Sequence, residues 1–154
     1  RNPEHMEAKN SLLLGAFYGG VAIAGSGTTA VHALSYPLGG KYHIAHGVSN
    51  AILFAHVMEF NRDACETRLA ALCDGVYPEL SKQASSQKAR YIIDQIADIV
   101  KVTEIPTDLG EFGVRPKDLD FLTEAGSRQQ RLLVNNRKEL SLEDIRAIYQ
   151  KALK

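Results

Sequence analysis

The chain has 154 residues, with 18 Lys and Arg balanced by 18 Asp and Glu, so its formal net charge at pH 7 is zero. That length suits one domain whose core takes roughly 70% of the unfolded surface out of water. The charge balance argues against a nucleic-acid footprint, which needs a clustered excess of Lys and Arg. No segment has the charged start, apolar middle and small-residue cleavage site of a signal peptide.

Residues 1–9 are polar, and Pro3 sits where a helix can start. A helix over about 3–24 becomes apolar nearly all round, the pattern of a helix buried on most sides. Its glycines, Gly15, Gly19 and Gly20, cost about 1 kcal/mol each in helix stability and so suggest close packing. The apolar run 12–24 is shorter than the ~20 residues a membrane span needs, which favours a core helix and no membrane partner. Gly25, Ser26 and Gly27 break the pattern, and Ser26 or Thr28 can cap a helix over about 28–35. Pro37 is expected to end that helix at or before Tyr36. Gly39 and Gly40 make a turn, 41–45 an exposed loop, and a helix then runs from His46 to about Phe60 on Val48, Ala51, Ile52, Ala55, Val57 and Met58.

Asn61, Arg62 and Asp63 read as a turn, with Asp63 capping a further helix whose inner face is Leu69, Leu72, Cys73 and Val76. Cys65 and Cys73 lie about 12 Å apart on that helix, at about 1.5 Å per residue, too far for a disulfide. Unbridged apolar cysteines fit a reducing, cytoplasmic setting. Pro78 interrupts. The most amphipathic stretch is 81–102, with Ile92, Ile93, Ile96, Ile99 and Val100 inward and Lys88, Arg90, Asp94 and Asp98 outward. Ile105 and Pro106 end it, and Leu109, Phe112 and Val114 form a short turn tucked on the core. Pro116 opens a helix to about Gly126 with Leu119, Leu122 and Ala125 inward. After a turn at 134–137, Ser141 and Asp144 resemble a capping box at the start of a last helix over 142–153, with Leu142, Ile145, Tyr149 and Ala152 buried. No alternating run requires a strand, so the fold class is all-α, a helical bundle.

The chemistry concentrates in residues 31–50, which hold three of the five histidines. His32 and His46 flank the Pro-Leu-Gly-Gly segment, and a bend there brings two imidazoles towards one point. Neutral imidazole is the commonest metal ligand and suits Zn or Fe. A catalytic site takes about three protein ligands, so at least one more comes from elsewhere. His43 reads as an exposed loop residue, His56 as helix surface or a satisfied core residue, and His5 as solvent-exposed. Tyr36 is one turn after His32 and shares its helix face.

The order Gly27, His32, Pro37, Leu38, Gly39, His46, Gly47, Asn50, Ala51 resembles the signature of the iron-containing alcohol dehydrogenase family. The resemblance continues through residues 52–61 and extends back over residues 8–22. It implies the C-terminal helical domain of a metal-dependent, NAD(P)-linked dehydrogenase that moves hydride between a small alcohol or aldehyde and NAD or NADP. His32 and His46 would be metal ligands for Fe or Zn. Two departures stand out. Tyr36 occupies the place where many members carry a His near the nicotinamide, so only a pocket-lining role carries over to it. Ala45 stands where many carry Pro, which should loosen the turn.

Residues 1–154 contain no G-x-G-x-x-G and no Asp-x-x-x-His ahead of His32. The expectation is therefore a single C-terminal metal-binding domain over 1–154, with the nucleotide-binding half absent from this chain. Cofactor-binding residues are not identifiable here. Alone, the chain should be inactive and bind metal weakly, and its apolar docking face should pair with the missing half or with a second copy as a homodimer. Two rival readings are a standalone helical interaction module without catalysis and a two-His metal storage or sensor domain. The latter would want carboxylates near the ligands, and Glu59, Asp63 and Glu66 lie beyond His56.

Overall fold

Helical periodicity with Pro and Gly punctuation becomes seven α-helices in the computed structural model, which describes residues 4–154 and contains no strand among them. They are α1 (Met6–Ser26), α2 (Ala30–Tyr42), α3 (His46–Val76), α4 (Ser85–Val102), α5 (Leu119–Ser127), α6 (Gln130–Leu133) and α7 (Leu142–Lys151). The expected helix start at Pro3 lies outside the described residues.

One core gathers α2, the first half of α3, α5, α7 and the Leu109–Phe112 turn around Leu34, Leu38, Leu53, Val57, Leu109, Val114, Leu122, Ile145 and Tyr149. A second joins Leu69 and Cys73 of α3 to Ala89, Ile92 and Ile93 of α4. The first half of α3 meets the last turns of α4 through Ala51, Ala55, Ala97 and Val100, so the two helices run antiparallel. One hydrogen bond and one close approach lock α2 in place. Buried Tyr149 donates its hydroxyl to the Leu34 carbonyl at 2.6 Å. Gly126 lets α5 approach so closely that a Cβ there would lie 2.8 Å from Leu34 Cδ2.

The structure corrects several sequence expectations. Pro37 does not end α2, which continues to Tyr42. Its ring removes the N–H that Ala33 would receive, yet Leu34, Pro37 and Leu38 are buried, and their packing holds the helix together. Residues 61–63 are not a turn, because α3 runs unbroken for 31 residues. Their polar groups bond outward instead. Asn61 and Asn136 exchange two side-chain hydrogen bonds of 2.9 Å, and Lys138 reaches Asp63 at 3.1 Å. Lys88 is buried rather than solvated, with Nζ donating to both Asp74 oxygens and to the Ser81 carbonyl. Leu142 and Ile99 are exposed, while the Ser141–Asp144 capping box forms as expected.

The largest correction concerns α1, expected in the core. All its described residues are exposed, including Leu12, Leu13, Phe17 and Val21, and no other element packs substantially on it. Gly15, Gly19 and Gly20 meet nothing within 4 Å. The helix has the composition of a buried element, with no covering surface among the described residues. It leaves the body at Gly27, whose φ of 72° is a left-handed value that glycine tolerates. No single helix among the described residues is long and apolar enough to cross a membrane. α1 and α2 pass that test only jointly, across a 105° bend, and α2 is core.

Candidate functional site

The site forms where α2 hands over to α3. His43 closes α2 in the left-handed region, φ 56°, donating its N–H to the Gly39 carbonyl. Ile44 plugs into the core, and Ala45 caps α3 with φ −55°. This three-residue connection turns the first residue of α3, His46, back over the second turn of α2.

The rings of His32 and His46 lie 5.1 Å apart between centroids, inclined at 55°. Tyr36 stacks on His46 at 5.6 Å and 24°. His32 is half-buried, and burial, followed by the proximity of His46, lowers its pKa below the ordinary imidazole value, so its ring is neutral at pH 7. His46 is more exposed, but both its nitrogens have neighbours. Nδ1 lies 3.2 Å from Ser35 Oγ, and Nε2 lies 3.1 Å from Asn50 Nδ2. Ser35 Oγ also donates to the His32 carbonyl at 2.9 Å.

These residues fit a shared divalent cation. Rings that bind one tetrahedral ion through single nitrogens at about 2.0–2.1 Å have centroids roughly 5 Å apart. The other histidines stand apart: His43 is the exposed cap of α2, His5 caps α1 by accepting from the Ala8 N–H, and His56 packs near Lys151 and Lys154. Burial, then those two lysines, lowers the pKa of His56. Among the described residues no group of three or more His, Cys, Asp or Glu could hold a metal. Sequence reading missed Ser35 and Asn50 as neighbours of His46. Asn50 is four residues after His46 and so on its helix face, a spacing that could have flagged it.

Residues 1–153 match the C-terminal model of the Fe-containing alcohol dehydrogenase family. The chain belongs to the iron-containing alcohol dehydrogenase family. It is similar to long-chain-alcohol dehydrogenase 1 of Geobacillus thermodenitrificans, 35% identical over 151 residues, covering 98% of this chain and 38% of that protein. Among solved structures, the alcohol dehydrogenase from Oenococcus oeni superposes with a TM-score of 0.74 at 27% identity, over 80% of this chain and 32% of that one. The archaeal halo-thermophilic Red Sea brine pool alcohol dehydrogenase shares the fold at a TM-score of 0.81 and 24% identity, over 97% of this chain and 39% of that one. The chain thus spans well under half the length of these relatives, in keeping with its match to the C-terminal model of the family.

Proposed function

We propose that this chain is the metal-holding half of an NAD(P)-linked alcohol dehydrogenase, acting on a small alcohol or aldehyde once joined to a nucleotide-binding half. The convergence of His32 and His46 at 5.1 Å carries this reading. His32 and His46 would hold Fe or Zn, and the other half would supply the remaining ligands and the NAD or NADP pocket. When bound, the metal supplies Lewis-acid polarisation of the substrate oxygen.

The chain's own residues prepare that site. Burial lowers the pKa of His32 and so favours the neutral ring, the form whose nitrogen lone pair can ligate. Tyr36 stacks on His46, limits the ring's rotation and lines the pocket where the nicotinamide would approach. The free thiols Cys65 and Cys73 suit a cytoplasmic, reducing setting. The exposed apolar surface of α1 is the docking face for the nucleotide-binding half, with a second copy of the chain as the fallback partner.

The test is NAD(P)-linked alcohol oxidation by the chain alone and by a polypeptide that joins it to a nucleotide-binding half. The chain alone should be inactive. The joined protein should be active, and His32→Ala or His46→Ala should abolish its metal-dependent turnover. Turnover by the chain alone, or full activity in both variants, contradicts the reading.

A further inference from the structure

We infer that Ser35 is a positioning residue: its hydroxyl fixes His46 as the Nδ1–H tautomer, which leaves Nε2 as the atom that faces a cation. This deepens the metal-holding reading and rests on it for the cation, but the hydrogen-bond argument stands on geometry alone. Ser35 is fully buried. A hydroxyl has one proton to donate, and Ser35 spends it on the His32 carbonyl at 2.9 Å. Its Oγ can then only accept from His46 Nδ1 at 3.2 Å, so Nδ1 carries the proton. Nε2 is left with its lone pair, which matches the Asn50 Nδ2 donor 3.1 Å away.

The chain of bonds therefore runs one way: Asn50 N–H to Nε2, Nδ1–H to Ser35 Oγ, and Ser35 O–H to the His32 carbonyl. Reversing it would turn the Ser35 hydroxyl away from His32 and require the Asn50 amide to rotate end for end, with one bond fewer. The same hydroxyl links the ring of one imidazole residue to the main chain of the other, so it fixes their spacing as well as the tautomer. Asn50 acts as a placeholder on Nε2. Its amide oxygen Oδ1 is buried without a partner in this arrangement. Outer-shell partners that orient a ligating histidine typically change metal affinity by about 10–100-fold when removed.

The experiment labels the histidine rings with 15N and reads long-range 1H–15N correlations in the metal-free chain, above the imidazole titration range. His46 should show a protonated Nδ1 and an unprotonated Nε2. Ser35→Ala, close in size and lacking the hydroxyl, should shift His46 towards the Nε2–H form without loss of helical signal. Zn2+ titration of the same samples should then give affinity about tenfold weaker in the variant. A wild-type His46 found as Nε2–H overturns the inference, as does a tautomer unchanged in Ser35→Ala. If the tautomer shifts as expected but neither sample takes up Zn2+, the role of Ser35 stands and the metal reading is what fails.

Discussion

Substituting Gly126 by Ala probes the packing that holds the candidate site in place. A Cβ at this position would sit 2.8 Å from Leu34 Cδ2, 3.1 Å from the Tyr149 hydroxyl and 3.6 Å from Ile145 Cγ2. The first is far inside the usual carbon contact of about 3.5–4.0 Å. Neither near neighbour has room to yield. Leu34 and Tyr149 are both fully buried, and the Tyr149 hydroxyl is pinned by its 2.6 Å bond to the Leu34 carbonyl. Overpacking of this kind costs about 1–3 kcal/mol, and the better helix propensity of Ala returns up to about 1 kcal/mol. The 2.8 Å approach belongs in the upper half of that range, so after the propensity gain the net expectation is a loss of about 1–2 kcal/mol. Gly75 in α3 is the control. Nothing lies within 4 Å of its Cβ position, so Gly75→Ala should be neutral or stabilising by up to about 1 kcal/mol. Urea unfolding followed by circular dichroism at one protein concentration reads both. A Gly126→Ala chain as stable as wild type would refute the packing argument, and with it the claim that α5 and α7 clamp the segment of α2 between His32 and Tyr36.

Three further outcomes follow from the structure. Ala45 already has φ −55°, within the range of proline, so Ala45→Pro should stabilise by about 0.4–1 kcal/mol, visible as a raised thermal midpoint. A lowered midpoint would show that the connection cannot take the ring. Burial lowers the pKa of His32, followed by the proximity of His46, and that of His56, followed by Lys151 and Lys154. Their contribution to stability is therefore complete above the ordinary imidazole value of about 6.5, and it is lost as pH falls through the lowered folded values. Denaturant unfolding should weaken from neutral pH to about pH 5, and His56→Gln should reduce that slope; an unchanged slope would remove His56 from the account. Finally, replacing Leu13 and Phe17 of α1 by Gln should change unfolding stability by no more than about 0.5 kcal/mol per site while reducing self-association in sedimentation. A large loss of stability would mean that α1 belongs to the core.

Much of the fold is legible in the sequence because local chemistry and tertiary packing agree. Ser141 and Asp144 are bonded as a capping box requires. Pro116 starts a short helical turn leading into α5, and Leu109 and Val114 are fully buried. The failures occur where tertiary contacts override local preference. Pro37 and the 61–63 segment carry helix-breaking or turn-forming residues, but buried neighbours in one case and partners at Asn136 and Lys138 in the other keep the helices running. Lys88 reads as surface because a lone charge is costly to bury, and only the fold reveals Asp74 beside it. The apolar composition of α1 identifies a helix that needs covering, but composition does not say which polypeptide covers it. At the candidate site, motif order brings His32, Tyr36 and His46 into view, and i,i+4 spacing reaches Asn50 within α3, whereas the Ser35–His46 hydrogen bond depends on how α3 folds back over α2.

Calorimetric titration of Zn2+ into the wild-type chain, His32→Ala, His46→Ala and the control His43→Ala tests most directly whether two imidazoles share one cation. Weak binding of one ion per wild-type chain, retained by the His43 variant and lost in each of the other two, is the predicted result. No uptake by the wild-type chain, or uptake that survives loss of both His32 and His46, would contradict it.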